Sequence, residues 1–234
     1  MKTLTADRKS RHVSSGVKPK LSSESIRDAE RTQQAILAAA EDEFADKGLA
    51  GARVDTIAEK SGVNKRMLYY YFGNKEGLYI AVLERAYGAM RKSESDLNLV
   101  NLEPLDAIRK LAEFKFDYYL AHPAIISLLA GENMQNAKFL KHSRRLRDMH
   151  SSLASVLQTV LATGKKKGLI KAGIDPLQLY ISIASLSYFY FSNAATLSTA
   201  FGRDLMSPSE LKARRAHAIE VVLDYVRMRC TLSV

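Results

Sequence analysis

Proline heads one helix-period run after another in this chain, and that arrangement leaves little room for any architecture but a helical one. Pro104, Pro123, Pro176 and Pro208 each precede a stretch whose apolar residues recur every three to four positions. Proline suits a first helical position because its ring presets φ and its missing N–H would lack an intrahelical partner there anyway. Asp175 and Ser207 stand just before two of these prolines as natural N-caps, and Ser207 with Glu210 has the spacing of a capping box. Upstream, Ile36, Ala40 and Phe44 share one face with Leu37 beside them, and Gly48 ends the run. No alternating strand pattern and no internal repeat interrupts the series. The expected fold class is all-α, with about nine helices.

Charge narrows the partners. Across 234 residues, 35 Lys and Arg stand against 25 Asp and Glu, a net charge of +10. That excess favours nucleic acid, an anionic membrane surface or acidic ligands without choosing among them. Apolar residues make up 47% of the chain, enough for a substantial core, so wholesale disorder is excluded. The lone Cys230 rules out an internal disulfide framework and a thiolate-rich zinc site, and it fits a reducing cytoplasm. The first twenty residues carry Lys2, Arg8, Lys9, Arg11, Lys18 and Lys20 against Asp7, with no apolar run of the kind a secretory signal needs. Residues 1–27 are expected to be a disordered basic tail, either merely solubilising or touching DNA backbone.

The uncharged stretch from Pro176 to Gly202 is long enough to cross a bilayer. However, Gln178, Ser182, Ser185, Ser187, Ser192, Asn193, Thr196 and Thr199 scatter polar groups around its circumference, which a lipid-facing helix does not tolerate. Leu179, Ile183, Leu186 and Tyr190 form one apolar stripe, and Tyr180, Tyr188 and Phe191 cover other sides. The segment is expected to be a central helix packed on its own domain and on a second subunit, with no membrane partner.

The stretch from Arg53 to Phe72 carries the most specific pattern. A short helix presents Ile57 and small Ala58 inward, Gly62 supplies a left-handed turn, and Val63 plugs it. Asn64 then caps a second helix whose Leu68 and Phe72 lie on the buried side. Two helices joined by a tight glycine-containing turn are the logic of a helix-turn-helix. Three consecutive tyrosines cannot all be core, because successive helical residues are about 100° apart. Lys65, Arg66, Tyr69 and Tyr70 therefore form a contiguous outward patch suited to phosphates and base edges. Asn64 sits near the helix N-terminus, and Met67 lies within the same helix. Arg53 and Lys75 flank the patch as phosphate clamps.

These residues resemble the N-terminal domain of TetR-type transcriptional regulators over positions 31–83. The likeness lies in the alanine-rich first helix, Phe44 and Gly48, Ile57-Ala58, Gly62-Val63, Leu68-Tyr69, Tyr71-Phe72, Lys75-Glu76 and Leu78. Two departures stand out: the family often has threonine at the place of Arg53, and a glycine-threonine pair at Arg66-Met67. The resemblance implies a three-helix DNA-binding domain over 28–74 and a helical effector-binding and dimerisation domain over 75–234. It also implies a homodimer on a near-palindromic double-stranded operator; the expected function is a repressor released by a small-molecule effector, the alternatives being an activator or ligand-insensitive regulator of the same fold, or a helical enzyme or lipid-binding protein. Pro104 and Ala107, His122-Pro123, Glu132-Asn133, the Gly168–Ile170 run, Asp175-Pro176 and the Tyr188–Asn193 run resemble a catabolic-regulator, RutR-like C-terminal subtype. That adds weight to a small polar or aromatic effector.

Within the C-terminal part, Phe114, Tyr118, Tyr119, Glu132, Asn133, His150, Tyr188 and Asn193 are the candidate effector-contacting residues, apolar walls with a few polar anchors. Aromatics at helical spacing are also what any core contains. The helices near 176–202 and 207–228 are the expected dimer surface, four helices across a two-fold axis. An enzyme is not expected: the chain lacks a glycine-rich phosphate loop, a His-Glu-x-x-His helix and a Gly-x-Ser-x-Gly elbow. His142 and His150 are about two helical turns apart, too far to share one metal, so neither a metal nor a cofactor is expected.

Overall fold

A computed structural model describes residues 23–228, without the side chains of 23–26, 142 and 146–152. Most of the basic tail, Cys230 and the imidazoles of His142 and His150 lie outside the described residues. Among the described residues ten α-helices follow one another: α1 (Ser23–Gly51), α2 (Val54–Ser61), α3 (Lys65–Phe72), α4 (Lys75–Ser95), α5 (Pro104–Ala121), α6 (Pro123–Met134), α7 (Arg144–Lys166), α8 (Pro176–Ser192), α9 (Ala194–Phe201) and α10 (Pro208–Val226). Short 3₁₀ turns at Leu99–Asn101 and Leu140–His142 complete the path. Among the described residues there is no strand; only Ile170 and Arg227 form an isolated antiparallel bridge, which ties the loop after α7 to the end of α10.

Three details depart from the sequence-based expectation. Helix α1 begins at Ser23, ahead of Asp28, so the expected tail 1–27 is too long at its C-terminal end. The uncharged segment is two helices, because Asn193 leaves the helical region (φ −114°, ψ 8°) and its amide donates to the Phe189 carbonyl at 2.9 Å. Asparagine offers the backbone this local alternative to helix continuation. The expected capping box at α10 does not form. Glu210 pairs with Arg203 instead, where both partners carry a full charge. The Asp175 carboxylate, by contrast, does cap α8, accepting from the Gln178 N–H at 2.8 Å.

Two apolar cores organise the helices. The first collects Ile36, Ala40 and Phe44 of α1, Ile57 of α2 and Leu68 of α3, and it runs on into Leu78, Tyr79, Val82 and Tyr87 of α4 and Ile125 and Leu128 of α6. The rings of Phe44 and Tyr79 meet edge-on at 5.1 Å, and Tyr79 continues to Phe139 at 5.4 Å. The second core joins Ile108 and Leu111 of α5, Leu157 of α7, Ile183 of α8 and Val222, Leu223 and Val226 of α10. The three N-terminal helices thus do not close a core by themselves. They share it with α4 and α6, which belong in sequence to the C-terminal part.

The α2–α3 turn depends on Gly62, which sits at φ 66°, ψ 20° and lets its own N–H and that of Val63 bond back to the end of α2. A β-branched residue is strained in that left-handed conformation. Gly62→Val should therefore cost about 1–3 kcal/mol, lowering the thermal midpoint by several degrees in a differential scanning measurement. An unshifted midpoint would remove the glycine requirement.

Candidate DNA-binding surface and effector region

The α2–α3 pair is mounted from beneath. Ile57 is fully buried and Leu68 nearly so, which turns the opposite side of α3 to solvent. Tyr69 is 43% exposed and Tyr70 77% exposed, and Lys65 and Arg66 are exposed beside them. Met67 is half-buried. The Asn64 side chain caps α3, accepting from the Arg66 N–H at 2.8 Å. Its carbonyl oxygen is thereby engaged, and the amide NH₂ is the end left to meet a phosphate or base. Lys65 pairs with Asp55 across the turn at 2.7 Å. This hydrogen bond holds the Lys65 ammonium above its ordinary pKa and the Asp55 carboxyl below its own. Both groups are exposed, so the pair orients Lys65 rather than stabilising the fold appreciably.

The flanking cations differ in their engagement. Arg53 is exposed just ahead of α2, and its backbone N–H donates to Glu43 at 3.2 Å. Lys75 is half-buried, and its ammonium donates to the Ala50 carbonyl at 3.2 Å, tying the start of α4 to the end of α1. Sequence reasoning missed Glu43. This buried carboxylate accepts from the Arg53 N–H and pairs with Lys60 at 3.3 Å, so it holds both ends of α2 onto α1. An acid at a buried helical position beside Phe44 was the only available signal. From α3 to α4 the chain turns tightly through Asn74, whose side chain accepts from the Gly77 N–H at 2.7 Å. A Cβ on Gly77 would lie 2.2 Å from the Phe72 carbonyl oxygen, so the recognition helix is set hard against α4.

In the C-terminal part the expected effector residues fall into separate groups. Phe114 packs on Tyr118 at 5.3 Å, Tyr118 on His122 at 4.3 Å, and Tyr119 on Tyr188 at 6.1 Å. Glu132 is buried, and one of its oxygens accepts from the backbone N–H groups of Phe139 at 3.3 Å and Leu140 at 3.1 Å, closing the turn after α6. Burial of Tyr79, with the Glu132 charge adding to it, pushes the Tyr79 hydroxyl well above its ordinary pKa. Asn133, one helical step of about 100° further round, is exposed rather than facing the interior. Asn193 caps α8, as described above. The His150 side chain lies outside the described residues.

A different set of residues surrounds the centre of this half. Lys115 on α5 is completely buried and ion-pairs with Glu94 of α4, to which Arg91 also pairs. Lys115 lies 4.9 Å and Arg91 5.2 Å from the centre of the Tyr180 ring. Burial pushes the Tyr87 hydroxyl up to about 12 and Tyr119 higher still, so both stay protonated at neutral pH. Arg91, Glu94, Leu99, Leu153 and Val156 line a cavity of about 180 Å³ between α4 and α7. None of these was singled out from sequence. Among the described residues no group of three or more His, Cys, Asp or Glu is placed to hold a metal, and no helix is long and apolar enough to cross a membrane.

A buried two-helix mount with an outward basic and tyrosine-rich second helix, joined to a larger helical half, defines a helix-turn-helix transcriptional regulator. The comparisons with known proteins say which kind. Residues 36–82 match the family described as bacterial regulatory proteins of the tetR family, and residues 104–222 match the tetracyclin repressor-like C-terminal domain. The chain is a member of the TetR family of transcriptional regulators. It is 40% identical over 177 residues to the HTH-type transcriptional repressor NicS of Pseudomonas putida, covering 76% of this chain and 84% of that protein. It is 28% identical over 206 residues to the HTH-type transcriptional regulator RutR of Escherichia coli, covering 84% of this chain and 91% of that one. Among solved structures, the putative transcriptional regulator SCO4942 from Streptomyces coelicolor superposes with a TM-score of 0.64 at 28% identity, over 83% of this chain and 98% of that one.

Tyr69 offers the cleanest single-atom test of the DNA surface. Tyr69→Phe keeps the ring and deletes the hydroxyl, and it should weaken binding by a similar factor on every duplex sequence, as loss of a phosphate contact does. Fluorescence anisotropy on several duplexes reads this directly, and unchanged affinity would take Tyr69 off the contact surface.

Proposed function

We propose that the protein is a dimeric repressor that a small-molecule effector releases from a near-palindromic operator. The observation that carries this reading is α4. Its first residue follows the recognition helix by a tight turn, and its last turns carry Arg91 and Glu94 into the centre of the C-terminal half. A helix of 21 residues is about 30 Å long, so a tilt of about 5° at one end moves the other by about 2–3 Å. That displacement is enough to spoil the match of two recognition helices to successive major grooves. Effector must bind the released arrangement more tightly than the DNA-bound one, since only differential affinity shifts a population. A loss of 10²–10³ in operator affinity corresponds to roughly 3–4 kcal/mol of coupling.

Arg53, Asn64, Lys65, Arg66, Met67, Tyr69, Tyr70 and Lys75 form the proposed DNA contact set, with Lys65 held in position by Asp55. Residues 28–74 and 75–234 act as DNA-binding and effector domains that share a core through α4 and α6. Dimerisation is assigned to α8 and α10. On α8, Leu177, Ile181 and Phe189 are 48–56% exposed, and on α10 Val221 and Tyr225 are exposed as well. A face of large apolar side chains along two neighbouring helices is what a four-helix interface between subunits needs. NicS, whose name marks it as a repressor, supports the sign of regulation, and DNA as target supports a cytoplasmic location.

Selection of bound duplexes from a random library at near-physiological salt tests the whole reading. It should return a palindrome with half-sites about one helical turn or more apart. Retention without a motif, vanishing as salt rises, would reduce the activity to non-specific charge. Ile181→Glu should shift the protein from twice the chain mass to one chain in analytical ultracentrifugation, and weaken binding to the palindrome far more than to a half-site. A variant that stays dimeric would move the interface off α8.

A further inference from the structure

The cavity between α4 and α7 has a charge imbalance built into its wall. Among the described residues Glu94 is the one carboxylate here, shared by two cations, Arg91 and Lys115, and all three are largely or wholly buried. The surplus positive charge rests against the Tyr180 ring, with Lys115 also 5.8 Å from the centre of the Tyr119 ring. Aromatic faces compensate a desolvated cation only in part. The Arg91 Nε is buried and has no hydrogen-bond partner among the described residues, although its side chain is only 10% exposed and lines the cavity. A buried donor left unmade is costly, and native structures rarely keep one without a reason. Leu99, Leu153 and Val156 supply apolar walls, and the exposed Ser95, Asn98 and Val100 also line the cavity.

We propose that this cavity takes a small organic monocarboxylate, with its carboxylate on Arg91 and its apolar body against Leu99, Leu153 and Val156. The inference rests on the reading of the C-terminal half as an effector domain and names the chemistry of the effector. Charge selects a monoanion, because one negative charge balances the surplus, whereas a dianion would leave a new unpaired charge in a desolvated site. The planar guanidinium fork matches a carboxylate in two parallel hydrogen bonds, and the orphaned Nε is one of its donors. Volume sets the size. An apolar cavity of about 150 Å³ accommodates benzene, so about 180 Å³ suits a single substituted ring or a short branched chain. Occupation also has a route to the DNA surface, since Arg91 and Glu94 stand on the helix that starts at the recognition helix.

Isothermal titration calorimetry on the full chain, with benzoate, 4-hydroxybenzoate and butyrate each paired with its neutral amide, tests the assignment. At least one acid should bind, and its amide should bind about tenfold or more weakly, the scale of a lost charge-assisted contact. Arg91→Gln should abolish that preference and Arg91→Lys should restore part of it. Val156→Phe should block acid and amide alike by filling the cavity while leaving the charges in place, and the last two variants keep the test decisive if Arg91→Gln fails to fold. Equal binding of acid and amide, wild-type affinity in Arg91→Gln or Val156→Phe, or no binding by any acid would overturn the proposal. Anisotropy on the selected palindrome separates it from the repressor reading. An acid that binds through Arg91 yet leaves duplex affinity unchanged upholds the site and sinks the release mechanism. Duplex binding that persists while every acid fails sinks the site alone.

Discussion

Helix α4 has to satisfy two cores at once, and the rest of the molecule is arranged around that demand. Leu78, Tyr79 and Val82 at its N-terminal end complete the core of the three DNA-binding helices. Met90, Arg91 and Glu94 at its other end meet Lys115 and Tyr180. Protein interiors are close-packed, so such a helix cannot drift to please one end without disturbing the other. Its position is therefore a compromise between two packings, the condition under which a ligand at one end is felt at the other.

The buried ion cluster at the far end of α4 is difficult to explain as a stabilising device. Removing charges from water costs several kcal/mol per ion, and an apolar replacement of similar volume is often no worse. A cluster with two cations on one carboxylate is costlier than a balanced pair. Its position beside a cavity, with an arginine nitrogen left without a partner among the described residues, is what the proposed ligand site accounts for. Glu132 makes the contrast. One oxygen of its buried carboxylate accepts from two backbone N–H groups of its own turn and so holds the fold together, although the other, Oε1, is buried without a hydrogen-bond partner among the described residues.

In the helix-turn-helix, the turn and the outward side of α3 were legible from the sequence. Gly62, Leu68 and the tyrosine run lie within twenty residues, so local rules of turn conformation and helical period decide which side chains point out. The effector half was legible only as a set of helices. Phe114, Tyr118 and Tyr188 were reasonable choices by type, yet the polar centre formed around Lys115, Glu94, Arg91 and Tyr180, which come from three different helices, α4, α5 and α8. Helical period places Lys115 on the face of Leu111 and Ala112, but nothing local says that a carboxylate from α4 waits there to receive it. Asn193 shows the same limit on a smaller scale: composition made one helix of 176–202, and one amide bonding to the Phe189 carbonyl made two.

What the amino-acid order determined by itself was the helical class, the helix-turn-helix and its exposed recognition face, because these follow from interactions within a few residues of each other. What only the tertiary structure decided was where the DNA-binding helices end as a folding unit, which carboxylates are spent on structure, and which charges surround a cavity. Those outcomes depend on groups meeting across the fold, where burial converts an ordinary surface charge into a costly one and distance in sequence carries no information about contact.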